Sequence, residues 1–283
     1  MKRIAVMHDN LRTQIVKYSV LFLFFLYALT IIYPLFWVFM TGFKENREFF
    51  RSTWALPNKL LYQNYIDAWN VGVGTYFFNS VFVTAVSVVL TTILSAFLGF
   101  VLARYTFRFK RFIFILILGG MMLSPEVSLI ALFRLLQDMR LYNTHWALII
   151  TYTAFRIPIT TFLIRSYFVE LPHEIEEAAF IDGCSSFQIF TKIILPISKP
   201  IIASAALLNA MTFWNEFMFG LVFIESSSLK TIPVGLMNLR GALNTKWTTM
   251  FAGLATSAIP IIIVFLLCQK QFVRGLTSGG IKG

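Results

Sequence analysis

Residues 18–43 and 68–103 contain no Asp, Glu, Lys or Arg. At 1.5 Å per residue, a helix over either run is long enough to cross ~30 Å of hydrocarbon. Four more runs repeat the theme: 112–133, 146–167, 200–224 and 248–269. The glycine-rich stretch Val71-Gly72-Val73-Gly74 belongs outside the second span, which leaves 77–103 as that span. A backbone in lipid must satisfy its polar groups internally, so runs of this length without strand alternation specify helices. The expected fold is an all-α membrane protein with six transmembrane helices, and the first run is a retained span rather than a cleaved leader.

Composition agrees and removes other classes. Only 13% of residues are charged and the mean hydropathy is +0.74, whereas a soluble domain carries nearer a quarter charged. The net charge of +11 does not signal nucleic acid, because the Lys and Arg flank apolar runs, as inner-face loops require. With both termini on the cytoplasmic side, inner segments hold fourteen Lys and Arg and outer segments nine. The bias is sharpest in the short loop 104–111, and short loops set orientation. The expected topology is N-in/C-in: a cytoplasmic N-terminus at 1–17, the first helix at 18–43, a five-helix core at 74–270, and a cytoplasmic tail at 271–283.

Two cysteines, Cys184 and Cys268, define no disulfide framework. His8, His145 and His173 are isolated, so no metal site is expected. No GxxxxGK[ST] loop occurs, so this chain is expected to bind no nucleotide and not to be an enzyme.

The polar stretch 170–200, between spans four and five, carries the most information. Glu174, Glu176 and Glu177 suit the positive end of a helix dipole. Pro172 suits a first helical turn. Gly183 suits a left-handed cap, and Ser185 with Gln188 forms a capping-box pattern that restarts a helix. Phe187, Phe190, Ile193 and Ile194 give that second helix an apolar face, and Pro196 and Pro200 end it. The prediction is a cytoplasmic helical hairpin, for which an ordinary well-capped interspan loop is the plain alternative.

Within it, Glu177-Ala178-Ala179, then Asp182-Gly183, then Ile193, Leu195 and Pro196 stand at fixed spacing. This resembles the EAA signature of binding-protein-dependent ABC importer permeases. Further segments are similar to the carbohydrate branch, the maltose-type second membrane subunit: Leu56-Pro57, Asn64-Tyr65, Trp69-Asn70, Asn79-Ser80, Trp214-Asn215-Glu216-Phe217, and the ending from Phe272 to Gly283. The resemblance implies the type I ABC importer fold, with the hairpin as a coupling helix on an ATPase and Glu177, Ala178, Ala179, Asp182, Gly183, Ile193, Leu195 and Pro196 as docking residues. It implies a cell-membrane permease for an oligosaccharide or other sugar. The implied partners are a second homologous permease, two copies of a cytoplasmic ATPase that uses ATP and Mg, and an extracytoplasmic solute-binding protein, which would meet the outer loop 225–250.

Ionisable groups inside the bilayer are functional candidates. Glu126 and Arg156 lie at similar depth, and a structural ion pair is favoured over a shared wet cavity. Asn79, Asn209, Asn215 and Glu216 either face the sugar path or serve as interhelical polar glue. Pro125, Pro158 and Pro260 lie within spans and can kink them. The rival readings are a permease for a non-sugar solute and an ion-coupled secondary transporter; the latter predicts inverted repeats that the sequence does not display.

Overall fold

The computed structural model describes residues 2–239 and 246–277, with side chains over 14–237 and 246–269. The described residues are helical or irregular throughout, without strands. The chain divides into two compact units, Met1–Asn70 with Arg240–Thr256, and Val71–Leu239 with Ser257–Gly283.

The first unit contains α1 (Lys2–Gly42), α2 (Asn46–Arg51) and α3 (Gln63–Ala68). Helix α1 runs unbroken through the expected boundary at residue 17, and its apolar side chains from Ile15 to Phe36 remain mostly exposed. That is the surface lipid would cover. Past α1 the chain is stapled by polar contacts. Lys44 is buried, and its Nζ donates to the carbonyls of Ser52 and Thr53 at 3.1 and 2.8 Å. Burial lowers the Lys44 pKa, opposed by the nearby Glu48 carboxylate. Asn64 Nδ2 donates to the carbonyls of Gly42 and Lys44. Trp37, Phe49, Trp54 and Phe251 pack as an aromatic group, with Trp37 5.2 Å from both Trp54 and Phe251.

The second unit is built on α4 (Gly74–Arg104) and α7 (His145–Glu170), its most extensive helix pair. The buried face of α4 carries Ser80, Ser87, Thr91, Ser95 and Gly99. Small residues let helix backbones approach closely where lipid offers no hydrophobic drive for association. The approach is tightest at Gly99, where an added Cβ would stand 3.3 Å from the Arg165 amide nitrogen.

Two expected spans are broken. The run 112–133 becomes α5 (Lys110–Gly120) and α6 (Pro125–Asp138), bent by 101°. Gly119-Gly120 ends the first helix, and Ser124 is extended before Pro125, as proline demands of its predecessor. Pro125 thus starts a helix instead of kinking one. The run 200–224 becomes α10 (Lys199–Trp214) and α11 (Met218–Phe223), preceded by the hairpin helices α8 (Glu174–Ile181) and α9 (Ser186–Ile197). The last helix, α12, is Trp247–Thr277. Among the described residues, four helices are long and apolar enough to cross a membrane, or up to six if each bent pair, α5–α6 and α9–α10, is one span. Of the sequence-level features, Arg240 and the last residues of the tail, 278–283, lie outside the described residues.

Candidate functional site

The hairpin forms as its caps dictate. Helix α8 begins after His173, one residue beyond Pro172, with Glu174, Glu176 and Glu177 in its first turn. It stops at Gly183, φ +82°. There the Cys184 N–H reaches back to the Ala179 carbonyl and the Gly183 N–H to the Phe180 carbonyl, each at 3.0 Å. This pair of bonds defines a Schellman cap, which needs a left-handed residue at that position. Ser185 and Gln188 then form a complete capping box, with the Ser185 N–H donating to Gln188 Oε1 at 2.9 Å. Ser198 and Lys199 carry the 77° turn from α9 into α10.

The signature residues sort by exposure. Ala179 is buried, with Ile193 and Leu195 half-buried against the cluster of Phe100, Ile164, Phe168 and Phe190. Glu177, Ala178, Asp182, Gly183 and Pro196 are exposed. Beside them at the turn stand exposed Phe180, Ile181 (86% exposed) and Phe187. Phe180, Ile181 and Phe187 thus form an exposed apolar tip rimmed by acids, and contiguous exposed apolar patches are a common mark of interaction sites.

The root of the hairpin is held by a residue that the sequence marked only as an inner-face charge. Arg104, the last residue of α4, lies 2.5 Å from Glu176 Oε1 through its Nε. It also donates to the Leu171 carbonyl at 2.9 Å and lies 3.3 Å from His173 Nε2. Both ionised side chains are largely buried, 4% and 11% exposed. One guanidinium therefore ties the end of a long helix to the start of α8.

Toward the other end of the same unit, a cavity of about 420 Å³ opens where α5 and α6 bend apart. Glu126, Arg156 and Glu216 all line it. The expected Glu126–Arg156 ion pair is not made: Arg156 Nε donates to Asn209 Oδ1 at 2.9 Å, and Glu126 accepts from the Ser124 hydroxyl beside it. Bending the third run places Glu126 at the start of a new helix, where its own neighbour satisfies it. Glu216 breaks the fifth run. Its carboxylate accepts from the Phe219 and Gly220 amides at 2.7 and 3.2 Å, capping α11, and from the Tyr152 hydroxyl at 2.6 Å. Tyr152 carried no sequence signal.

The asparagines divide. Asn209 is fully buried and pairs with Thr160 through both ends of its amide, joining α7 to α10. Asn79 donates to the carbonyls of Ser228 and Lys230 and so pins the segment after α11. Exposed Asn215 bonds back to the Met211 carbonyl. Of the four, Glu216 alone is among the cavity-lining residues.

This architecture, long apolar helices with a capped amphipathic hairpin tied to their base, defines a multi-pass membrane transport subunit. Residues 93–278 match the family described as binding-protein-dependent transport system inner membrane component, and the chain belongs to that family. It is 50% identical to a probable ABC transporter permease protein, YurM, of Bacillus subtilis over 94% of this chain and 88% of that protein. It is 35% identical to the arabinooligosaccharides transport system permease protein AraQ of Halalkalibacterium halodurans, over 90% and 93%. It is 33% identical to the trehalose/maltose transport system permease protein MalG of Thermococcus litoralis, over 91% and 94%. The fold is similar to a chain in the crystal structure of a bacterial ABC transporter that imports the acidic polysaccharide alginate, with TM-score 0.80, 24% identity, and coverage of 92% and 97%.

Proposed function

We propose that this chain is one permease subunit of an ATP-driven sugar importer, taking an oligosaccharide from an extracytoplasmic binding protein. Several relatives are named for sugars of this kind: arabinooligosaccharides, trehalose or maltose, diacetylchitobiose, and melibiose, raffinose or stachyose. The observation that carries the mechanism is the α8–α9 hairpin, with an exposed apolar tip and a base clamped through Arg104. In this reading the chain crosses the membrane six times, N-in/C-in, with α5–α6 as one bent span. The hairpin lies in the cytoplasm, where each of two ATPase copies grips a permease. ATP and Mg act on those partners, and this chain performs no hydrolysis. Closure of the ATPases pushes the tip, Arg104 carries the push into α4, and the bundle rocks between inward-open and outward-open states. A second, homologous permease completes the pathway.

The cavity beside Glu216 contributes this chain's share of the path. Phe155 and Phe219 offer aromatic faces, while Arg156, Glu126 and Glu216 offer hydrogen-bonding groups, the mixture that a polyhydroxylated ligand needs. Asn209 and Asn79 act as structural supports.

Affinity purification in mild detergent tests the assignment. An ATPase and a second permease should co-elute, and a cysteine placed at Ser186 should cross-link to the ATPase. Absence of any nucleotide-hydrolysing chain, or cross-linking of Ser186→Cys only to extracytoplasmic protein, would overturn it.

A further inference from the structure

At the end of the second unit that carries the hairpin, a second cavity of about 360 Å³ lies between the end of α4, the start of α5 and the end of α7. Four of its lining residues are cations, Arg108, Lys110, Arg111 and Arg165, and no Asp or Glu lines it. Arg165 is fixed in place: its Nε donates to the Leu102 carbonyl at 3.3 Å, and its guanidinium stacks over the Phe114 ring, 4.3 Å from the centroid. Lys110 and Arg111 are the first residues of α5, so the positive end of an eleven-residue helix dipole adds to their charge. Four positive groups converging on one cavity repel one another unless an anion sits among them.

The surroundings say which anion. Phe107, which lines the cavity, and Phe109, between its lining residues Arg108 and Lys110, are 39% and 63% exposed. Large apolar side chains bare to this degree, on a chain that lives in a bilayer, face acyl chains. A basic pocket between transmembrane helices, bordered by lipid-facing aromatics, suits the phosphodiester of an anionic phospholipid. We infer that this cavity is a binding site for an anionic lipid headgroup, with the phosphate held by Arg108, Lys110, Arg111 and Arg165 and the tails lying along Phe107 and Phe109. Its location in the inner leaflet rests on the orientation proposed above; the site itself does not. Leu102 lies two residues before Arg104, so a headgroup here would brace the segment of α4 that grips the hairpin.

Native mass spectrometry of the purified transporter, titrated with phosphatidylglycerol or phosphatidylcholine, tests this. Phosphatidylglycerol should bind preferentially. The variant Arg108→Gln/Lys110→Gln/Arg111→Gln should weaken it by roughly fivefold per charge removed, about a hundredfold in all. A control variant with the same charge loss elsewhere, Arg51→Gln/Lys59→Gln/Arg134→Gln, should bind like the parent. Equal weakening in both variants, or no preference between the two lipids, overturns the site. Inorganic phosphate is the third arm: if it binds alone and displaces the lipid, the ligand is a free phosphate and the lipid assignment fails. The readout is bound lipid, so it stands or falls separately from transport.

Discussion

Replacing Arg104 by Gln should release the hairpin without unfolding the bundle. The side chain is 4% exposed and faces the Glu176 carboxylate, 11% exposed. Removing one partner of a buried pair costs about 3–5 kcal/mol, because the other charge is left uncompensated. The pair sits near the water-facing end of the protein, so the low end, about 3 kcal/mol, applies to Arg104→Gln. The lost bond to the Leu171 carbonyl adds about 1 kcal/mol. At 1.4 kcal/mol per decade, the sum raises the population of detached hairpin by a factor of several hundred. Glu176→Gln, which removes the charge and keeps an acceptor, should cost less. The double variant should be more stable than the sum of the singles predicts by about 1–3 kcal/mol. Denaturation of the four proteins in detergent measures the cycle. In proteoliposomes Arg104→Gln should retain ATPase activity while uptake falls at least tenfold. Additive stabilities within about 0.5 kcal/mol, together with normal uptake, would refute the clamp.

Four further outcomes follow from individual contacts. Gly183→Ala should destabilise the hairpin by about 1–2 kcal/mol through its φ of +82° alone, since an added Cβ meets nothing within 4 Å; Gly183→Asn should recover part of this, and Gly183→Pro should uncouple ATPase activity from uptake while insertion stays intact. A proteolysis rate at residues 181–186 equal across parent, Ala and Asn variants would count against the left-handed cap. Gly99→Leu should abolish stable α4–α7 packing, whereas Gly99→Ala asks only for a shift of a few tenths of an ångström from a 3.3 Å contact; indistinguishable melting temperatures for the two would contradict the close approach. Asn209→Ala should lower stability by about 1–2 kcal/mol and change the KM for sugar only indirectly, through the Arg156 Nε that it holds, and so less than Glu216→Ala does; the reverse order would exchange their roles. For Lys44, burial holds the folded pKa below its ordinary 10.5. Between those two values the unfolded chain binds more protons, so stability should rise with pH across that window and be flat below it. The Lys44→Met variant should lack this rise, and parallel pH curves for the two proteins would exclude it.

What could be read from the sequence was whatever local chemistry decides. Gly183, Ser185 and Gln188 specify their caps through bonds made within a few residues, and the family spacing set those residues in register with Ile193 and Leu195. The charge-free runs specify helices because lipid leaves no other way to satisfy a backbone. What escaped depends on partners distant in sequence. Arg104 and Glu176 are 72 positions apart in number, and a basic residue at a span end looks the same whether it faces headgroups or clamps a hairpin. Arg156 and Glu126 were matched by depth, but depth assumes straight spans, and the 101° bend at residues 121–124 invalidated that measure. Glu216 shows the same limit from the other side. An acid in an apolar run suggests function, yet its carboxylate first does the structural work of restarting α11. Its second partner, the Tyr152 hydroxyl, comes from α7. The polar groups of this cavity are thus tied to the breaks in its helices, because a break frees amides that need an acceptor. That dependence predicts that Glu216→Ala, which removes the acceptor altogether, will disturb both the helix and the path. Glu216→Gln, which retains an acceptor for the Phe219 amide, is therefore the variant that separates them. If it folds like the parent but imports sugar poorly, the carboxylate serves the path; if it imports normally, its role is the cap.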